Sequence, residues 1–304
     1  MMGREWRRLD ETRAHPVGKL GCPLISVVIA TRNRLPHLRA CLRAIARQAV
    51  VTPVQVCVVN DGGASVAPVV EQVQREHPHI QFWFHDLAEH RGQVHARRLA
   101  ITAARGEFIA FCDDDDRWLP NHLSSLWSLL QSSDAVWAHT DAELVEVRRR
   151  GGRIEVGDRF AFAWKRADLL LRRYNPLLPS TVLYKKAAHL RLGGLDESMG
   201  DYWDWDFWLR LNKLSRPLRV PVATVLYGLD ADGGQASFSP DSMRPYLTAL
   251  TDKHGLGELP TMNFRMMLDQ PDLAPYRAQT RILWDGDPGL WDTGEAQTGE
   301  GCNG

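Results

Sequence analysis

The sequence predicts an α/β protein built on a doubly wound, mostly parallel, Rossmann-like sheet, with a smaller and less regular second half. Two observations carry this expectation. Up to residue 116, short apolar runs alternate with segments of helical periodicity, the order that a parallel sheet with crossover helices produces. The runs starting at Ile25, Val54 and Phe108 also each close in a polar turn. Open α/β sheets bind ligands outside the carboxyl ends of their strands.

The first strand is expected over residues 25–30, apolar and largely β-branched, followed by Thr31, Arg32, Asn33 and Arg34. A helix opens near Pro36, and Leu35, Leu38, Leu42, Ile45 and Ala49 recur along one face. The second strand, residues 54–59, ends in Asn60-Asp61-Gly62-Gly63. A helix from about Ser65 and a third strand at 80–84 follow. Residues 92–105 read as a helix with Ala96, Leu99, Ala100 and Ala103 on one face. The stretch 106–120, GEFIAFCDDDDRWLP, is a buried strand closed by four aspartates. Beyond it, helices are expected at 123–130, 185–192 and 204–214, and strands at 135–139, 181–184 and 223–227. The run 148–153, four arginines around Gly151-Gly152, reads as a solvated hairpin turn between short strands. One or two helices are expected at 243–254 and 261–268.

Lys plus Arg and Asp plus Glu are 37 each, so net charge argues for no nucleic-acid or other polyanionic partner. No apolar run approaches the roughly 18–20 residues that span a bilayer, and residues 1–16 lack the apolar core of a signal peptide. The five cysteines, Cys22, Cys41, Cys57, Cys112 and Cys302, are scattered without metal-site or disulfide spacing. A cytoplasmic protein is the expectation.

Asp113, Asp114, Asp115 and Asp116 would repel one another in a small dry space. Either water solvates them, with Asp116 capping the helix near Pro120, or a divalent cation sits among them. Oxygen donors of this kind suit Mg²⁺ or Mn²⁺, and Mg²⁺ usually brings substrate phosphates with it. Asp61 lies at a neighbouring strand end, where its carboxylate can accept from a nucleobase imide, although Asp-Gly alone is also a common turn. Arg97, on the helix after His90-Arg91-Gly92, can pair with a phosphate or be a surface charge. The second cluster is DYWDWDFWLR, residues 201–210. Asp204 stands at its helix start beside apolar rings, a setting that raises a carboxyl pKa and suits a general base, or a simple N-cap.

The ordered segments SVVIATRNRLPHLRACLRAI, VCVVNDGGAS, GQVHARRLAITAARGEFIAFCDDDDRWLP, LLPSTVLYKKAAHLRLGGLDE and YWDWDFWLRL resemble the family 2 glycosyltransferases of GT-A fold, over roughly residues 24–228. The resemblance implies that Thr31 sits by the base of a nucleotide sugar, Asp61 binds that base, and Arg97 lies close to the nucleotide. Asp113, Asp114 and Asp115 match the family's metal and nucleotide motif, with Asp115 the direct ligand of Mg²⁺ or Mn²⁺ and Asp113 beside it. Asp204 matches the base that deprotonates the acceptor. An inverting transfer follows, from a UDP-sugar foremost (dTDP and GDP being the other bases) to a saccharide or lipid-linked saccharide. That acceptor would bring the protein to the inner face of a membrane as a peripheral partner in polysaccharide biosynthesis. The implied organisation is a flexible leader at 1–21, a nucleotide-sugar-binding half at 22–135 and an acceptor-binding half of the same domain at 136–230. A C-terminal helical extension at 231–290 and a disordered tail at 291–304 follow.

Two positions depart from the family pattern. Trp203 stands where a glutamate usually precedes the base, and Asp230 or Asp232 stands where a histidine often follows the late strand. Two other readings remain. A sugar nucleotidyltransferase would need a Gly-rich loop after strand one, where this chain has TRNRLP. A non-catalytic nucleotide-sugar-binding module would not need the aspartates.

Overall fold

The computed structural model describes residues 24–50, 52–150, 153–230 and 240–292. The expected leader, Gly151-Gly152, Asp232 and the tail from 293 lie outside the described residues, as does the side chain of Asp230.

The first half alternates as expected: β1 (Ile25–Thr31), α1 (Leu35–Ala46), β2 (Val54–Asn60), α2 (Ala67–Glu76), β3 (Gln81–Asp86), α3 (Gln93–Ala103) and β4 (Phe108–Phe111). These four strands run parallel in the order β3-β2-β1-β4. Successive side chains of a strand point to opposite faces, and β1 shows why its sequence is apolar throughout. Val27 and Ile29 pack with α1 and α2 on one face, while Val28 packs with α3 on the other. The winding reverses between β1 and β4, so the turns after these adjacent strands open the crevice that such a switch point creates.

The sheet continues into the second half. After β5 (Arg117–Trp118), α4 (His122–Gln131), β6 (Trp137–Arg150), β7 (Arg153–Phe162) and α5 (Ala167–Leu170) come β8 (Val182–Lys185), α6 (Lys186–Arg191), α7 (Trp203–Asn212) and β9 (Leu218–Asp230). Strand β8 runs antiparallel to both β4 and β6, and β9 runs parallel to β6. One ten-stranded mixed sheet therefore carries both halves. The segment after residue 240 contributes α8 (Pro240–His254), the four-residue α9 (Phe264–Met267) and β10 (Arg281–Ile282), which pairs with β9.

Strands β6 and β9 are much longer than the apolar runs inside them. Asp141 and Glu143 are buried on β6, where Arg219 and Arg159 neutralise them across the sheet. Pro221, which cannot donate to a ladder, falls in the register shift between Val220 and Ala223. The arginine-bearing hairpin thus joins strands of fourteen and ten residues, not short ones.

Helix α7 is buried on nearly every side. Trp208 stacks on Trp137 with centroids 5.7 Å apart, and Trp203 meets Phe111 edge-on at 4.9 Å. Such offset and edge-to-face pairs are the favoured aromatic geometries. They fix the start of α7 against the carboxyl end of β4.

Candidate active site

A cleft of about 820 Å³ lies over the carboxyl ends of β1, β2 and β4. Thr31, Arg34, Asp61, Arg97, Asp113, Asp114, Asp115 and Asp204 all line it. The cleft is also lined by Tyr174, Asn175 and Tyr227 and by the C-terminal segment through Met243, Tyr246, Met262 and Phe264.

Two turns interlock at its floor. Asn33 has a positive φ of 54°, a conformation that asparagine tolerates better than most residues. Its side chain fills the space above Gly63, where an added Cβ would lie 2.0 Å from Asn33 Oδ1. The glycine there is required by close approach as well as by its own φ of +107°.

Asp61 is nearly enclosed. Its carboxylate accepts from the backbone N–H of Arg91 (2.7 Å) and Gly92 (3.0 Å), and His90 Nδ1 lies 2.7 Å away. It thereby ties the end of β2 to the start of α3. His90, half exposed, is the outermost of these partners.

The four aspartates divide sharply. Asp116 is fully buried, with Ser180 as a polar neighbour and, among the described residues, no well-formed hydrogen bond on either carboxylate oxygen. Burial, then the charges of Asp115 and Asp113, push its pKa well up. It does not cap the next helix, which starts at His122 with Asn121 before it. Asp114 is also buried, accepting from Thr31 Oγ1 at 2.5 Å and Arg34 Nη1 at 3.2 Å. Burial and the neighbouring Asp115 raise it to about 7, against the pull of Arg34 and Thr31. The Thr31 hydroxyl is thus committed to Asp114. Of the three that line the cleft, Asp113 and Asp115 are the more open, each about a quarter exposed.

Arg97 is not a surface charge. It is buried, bonds Asp113, donates to Gln93 Oε1 at 2.9 Å, and lies over the Trp203 ring at 4.7 Å. Trp203 therefore offers this guanidinium an aromatic face, an attractive arrangement for a desolvated cation.

Asp204 sits in the first turn of α7, and Tyr202 precedes that helix as its cap residue. One oxygen accepts from Trp205 N–H and the other from Asn175 Nδ2, both at 2.7 Å. Burial raises its pKa to about 7; the two hydrogen bonds oppose that, and the charge of Asp113 adds to it. Sequence reasoning missed Asn175. Its Asn-Pro context signals a turn, and its partner lies 29 residues away.

Among the described residues no group of three or more His, Cys, Asp or Glu side chains is arranged to hold a metal. The donor set at the cleft, Asp113 and Asp115, nonetheless suits a hard cation that shares its shell with phosphate oxygens, because Mg²⁺ is often held by one or two carboxylates plus substrate phosphates. The fit is to a shared site, with Arg34 Nη1 at 2.8 Å already on Asp115.

Comparison with known proteins finds likeness both in sequence and in fold. The profile of "Glycosyl transferase family 2" matches residues 26–187. A Bacillus subtilis (strain 168) protein described as an uncharacterized glycosyltransferase, YwdF, is 36% identical over 87% of this chain and 96% of its own length. Among solved structures, Staphylococcus aureus TarS 1-349 in complex with UDP-GlcNAc is similar with a TM-score of 0.55 at 17% identity, over 76% of this chain and 66% of that one. The mannosyltransferase PcManGT from Pyrobaculum calidifontis, in complex with GDP-Man and Mn²⁺, gives a TM-score of 0.50 at 17% identity, over 86% of this chain and 83% of that one. At such identities the two structures speak to the fold.

Proposed function

Because the chain belongs to glycosyl transferase family 2, we propose that it moves a sugar from a UDP-sugar to an acceptor hydroxyl with inversion at the anomeric carbon. The observation that carries this reading is the Asp204 carboxylate. It is buried, braced by Asn175 and Trp205, raised to about 7, and set in the wall of the cleft that also holds Asp113 and Asp115. A general base works best with a pKa near the working pH.

In this reading Asp204 takes the acceptor proton as the oxygen attacks the anomeric carbon opposite the departing diphosphate. One displacement inverts the centre, through an oxocarbenium-like state of the kind found in glycoside hydrolysis. Arg97, fixed by Gln93 and Trp203, stands beside Asp113 as a cation for the diphosphate. Asp61 takes the base imide as His90 gives way, and Thr31 holds Asp114 in place at the same end. A divalent cation, Mg²⁺ or Mn²⁺, bound through Asp115 with Asp113 beside it, would neutralise charge growing on the leaving group.

Nucleotide sugars accompany both similar folds, UDP-GlcNAc with TarS and GDP-Man with PcManGT, which supports a donor of that class. The acceptor is a saccharide or lipid-linked saccharide in polysaccharide biosynthesis, reached from the cytoplasmic face of a membrane. Among the described residues no helix is long and apolar enough to cross a membrane; the association proposed here is peripheral.

The test is Asp204→Asn. Transfer should fall by about 10²–10⁴, the usual weight of a general base, while calorimetric affinity for UDP with Mn²⁺ stays within about twofold of wild type. Parallel loss of UDP binding would assign Asp204 to the donor instead.

A further inference from the structure

The two arginines at the carboxylate turn are held very differently. Arg97 is locked by Gln93, Asp113 and the Trp203 ring, and its side chain is only 5% exposed. Arg34 is 41% exposed, and its contacts to the motif run through a single nitrogen. Nη1 spans Asp115 Oδ2 at 2.8 Å and Asp114 Oδ1 at 3.2 Å. It stands just before α1, after the positive-φ residue Asn33, and lines the cleft.

We propose that Arg34 is a resident counter-cation of this motif that competes with a divalent metal for Asp115, so that the metal enters the site together with a diphosphate. The inference rests on the donor reading above. Three observations carry it. Arg34 is the hydrogen-bond partner of the Asp115 carboxylate among the described residues. Asp114 already serves Thr31 through its other oxygen, and Asp113 serves Arg97. Asp115 is thus the more exposed of the two carboxylates that Arg34 bridges, and the one at which an arriving cation meets Arg34. Finally, among the described residues no three His, Cys, Asp or Glu side chains make a metal site by themselves, so a cation arriving alone finds few ligands and a positive charge in its way.

A diphosphate changes both terms. Its oxygens complete the metal's shell, and they accept the displaced guanidinium, whose planar fork matches phosphate. Metal and nucleotide then raise each other's affinity by one common factor, as linkage requires. Arg34 sets much of that factor.

The experiment is an electron paramagnetic resonance titration of free Mn²⁺ against the full chain, with and without UDP, for wild type, Arg34→Gln, Arg34→Lys and the double variant Arg34→Gln/Asp115→Asn. Without UDP, Arg34→Gln should bind Mn²⁺ about tenfold tighter than wild type, because a unit positive charge has left the site. Arg34→Lys should resemble wild type, and the double variant should lose the gain. With UDP, the enhancement of Mn²⁺ affinity should shrink in Arg34→Gln. If Arg34→Gln alone binds Mn²⁺ no tighter than wild type, the competition is overturned. The comparison without nucleotide decides Arg34 by itself. Failure of wild type to bind UDP with Mn²⁺ in calorimetry would count against the donor reading separately.

Discussion

At the scale of single residues, Asp204 is set by two opposing effects. Burial drives its carboxyl toward the neutral form, and hydrogen bonds from Asn175 and Trp205 favour the charged form. The balance lies at about 7. In the proposed role of base Asp204 must be deprotonated to act, so the rate should rise with pH through that value and then level. Removing the Asn175 donor leaves burial less opposed and raises the pKa further. Asn175→Ala should therefore move the acidic limb of kcat/KM upward by about one pH unit, since a hydrogen bond to a charged group contributes about 1.5–3 kcal/mol. The variant should be slow at pH 7 and recover much of its rate at pH 9. A profile with an unmoved midpoint and uniformly lower rates would show that Asn175 only shapes the loop. Asp204 could be picked out in the sequence because the family resemblance fell on a carboxylate among tryptophans at a helix start, a pattern that by itself also fits a simple N-cap. Asn175 and Arg34 were not singled out, because an Asn-Pro and an arginine after a turn are ordinary until their distant partners are known.

At the scale of elements, α7 is clamped to α8 through one buried group. Asp206 is fully enclosed and accepts from Arg210 (2.6 and 2.9 Å), Lys253 (2.7 Å) and His254 (2.8 Å). Burial alone would raise its pKa, but the bonds from Lys253 and Arg210 outweigh that and hold it below the ordinary value. A lowered pKa contributes stability above the unfolded-state value, and that contribution fades as pH falls through the folded one. Asp206→Asn should lower unfolding stability at pH 7 by roughly 3 kcal/mol, as removing one partner of a buried ion pair does. The loss should shrink toward pH 3, a trend that denaturant melts at the two pH values would reveal. The short strands β1, β2 and β4 were legible because both faces are covered and the run is apolar. Strands β6 and β9 were not, since their buried charges and Pro221 make sense only once the neighbouring strand is in place.

At the scale of the molecule, the cleft joins two walls of different character. The turns after β1, β2 and β4 supply charges, whereas the C-terminal segment supplies Met243, Tyr246, Met262 and Phe264. The sequence presents that segment as a polar, Gly-rich extension with one or two helices, and nothing local says that it folds back over the site. What brings it there is long-range packing: Leu247 and Leu250 enter the core around α7. Tyr246 lies over Gly200, where a Cβ would come within 2.5 Å of the ring. If charges hold the donor and the apolar wall holds the acceptor, the two should separate by mutation. Tyr246→Ala removes an exposed ring from the wall that the C-terminal segment builds. It should raise the KM for a saccharide acceptor by about tenfold, the loss of one stacking contact of about 1.4 kcal/mol. The KM for the UDP-sugar should stay within about twofold. Steady-state kinetics varying each substrate in turn would measure both. A matching rise in donor KM would mean that Tyr246 props up the whole cleft through Gly200, and the division of labour between the walls would fall.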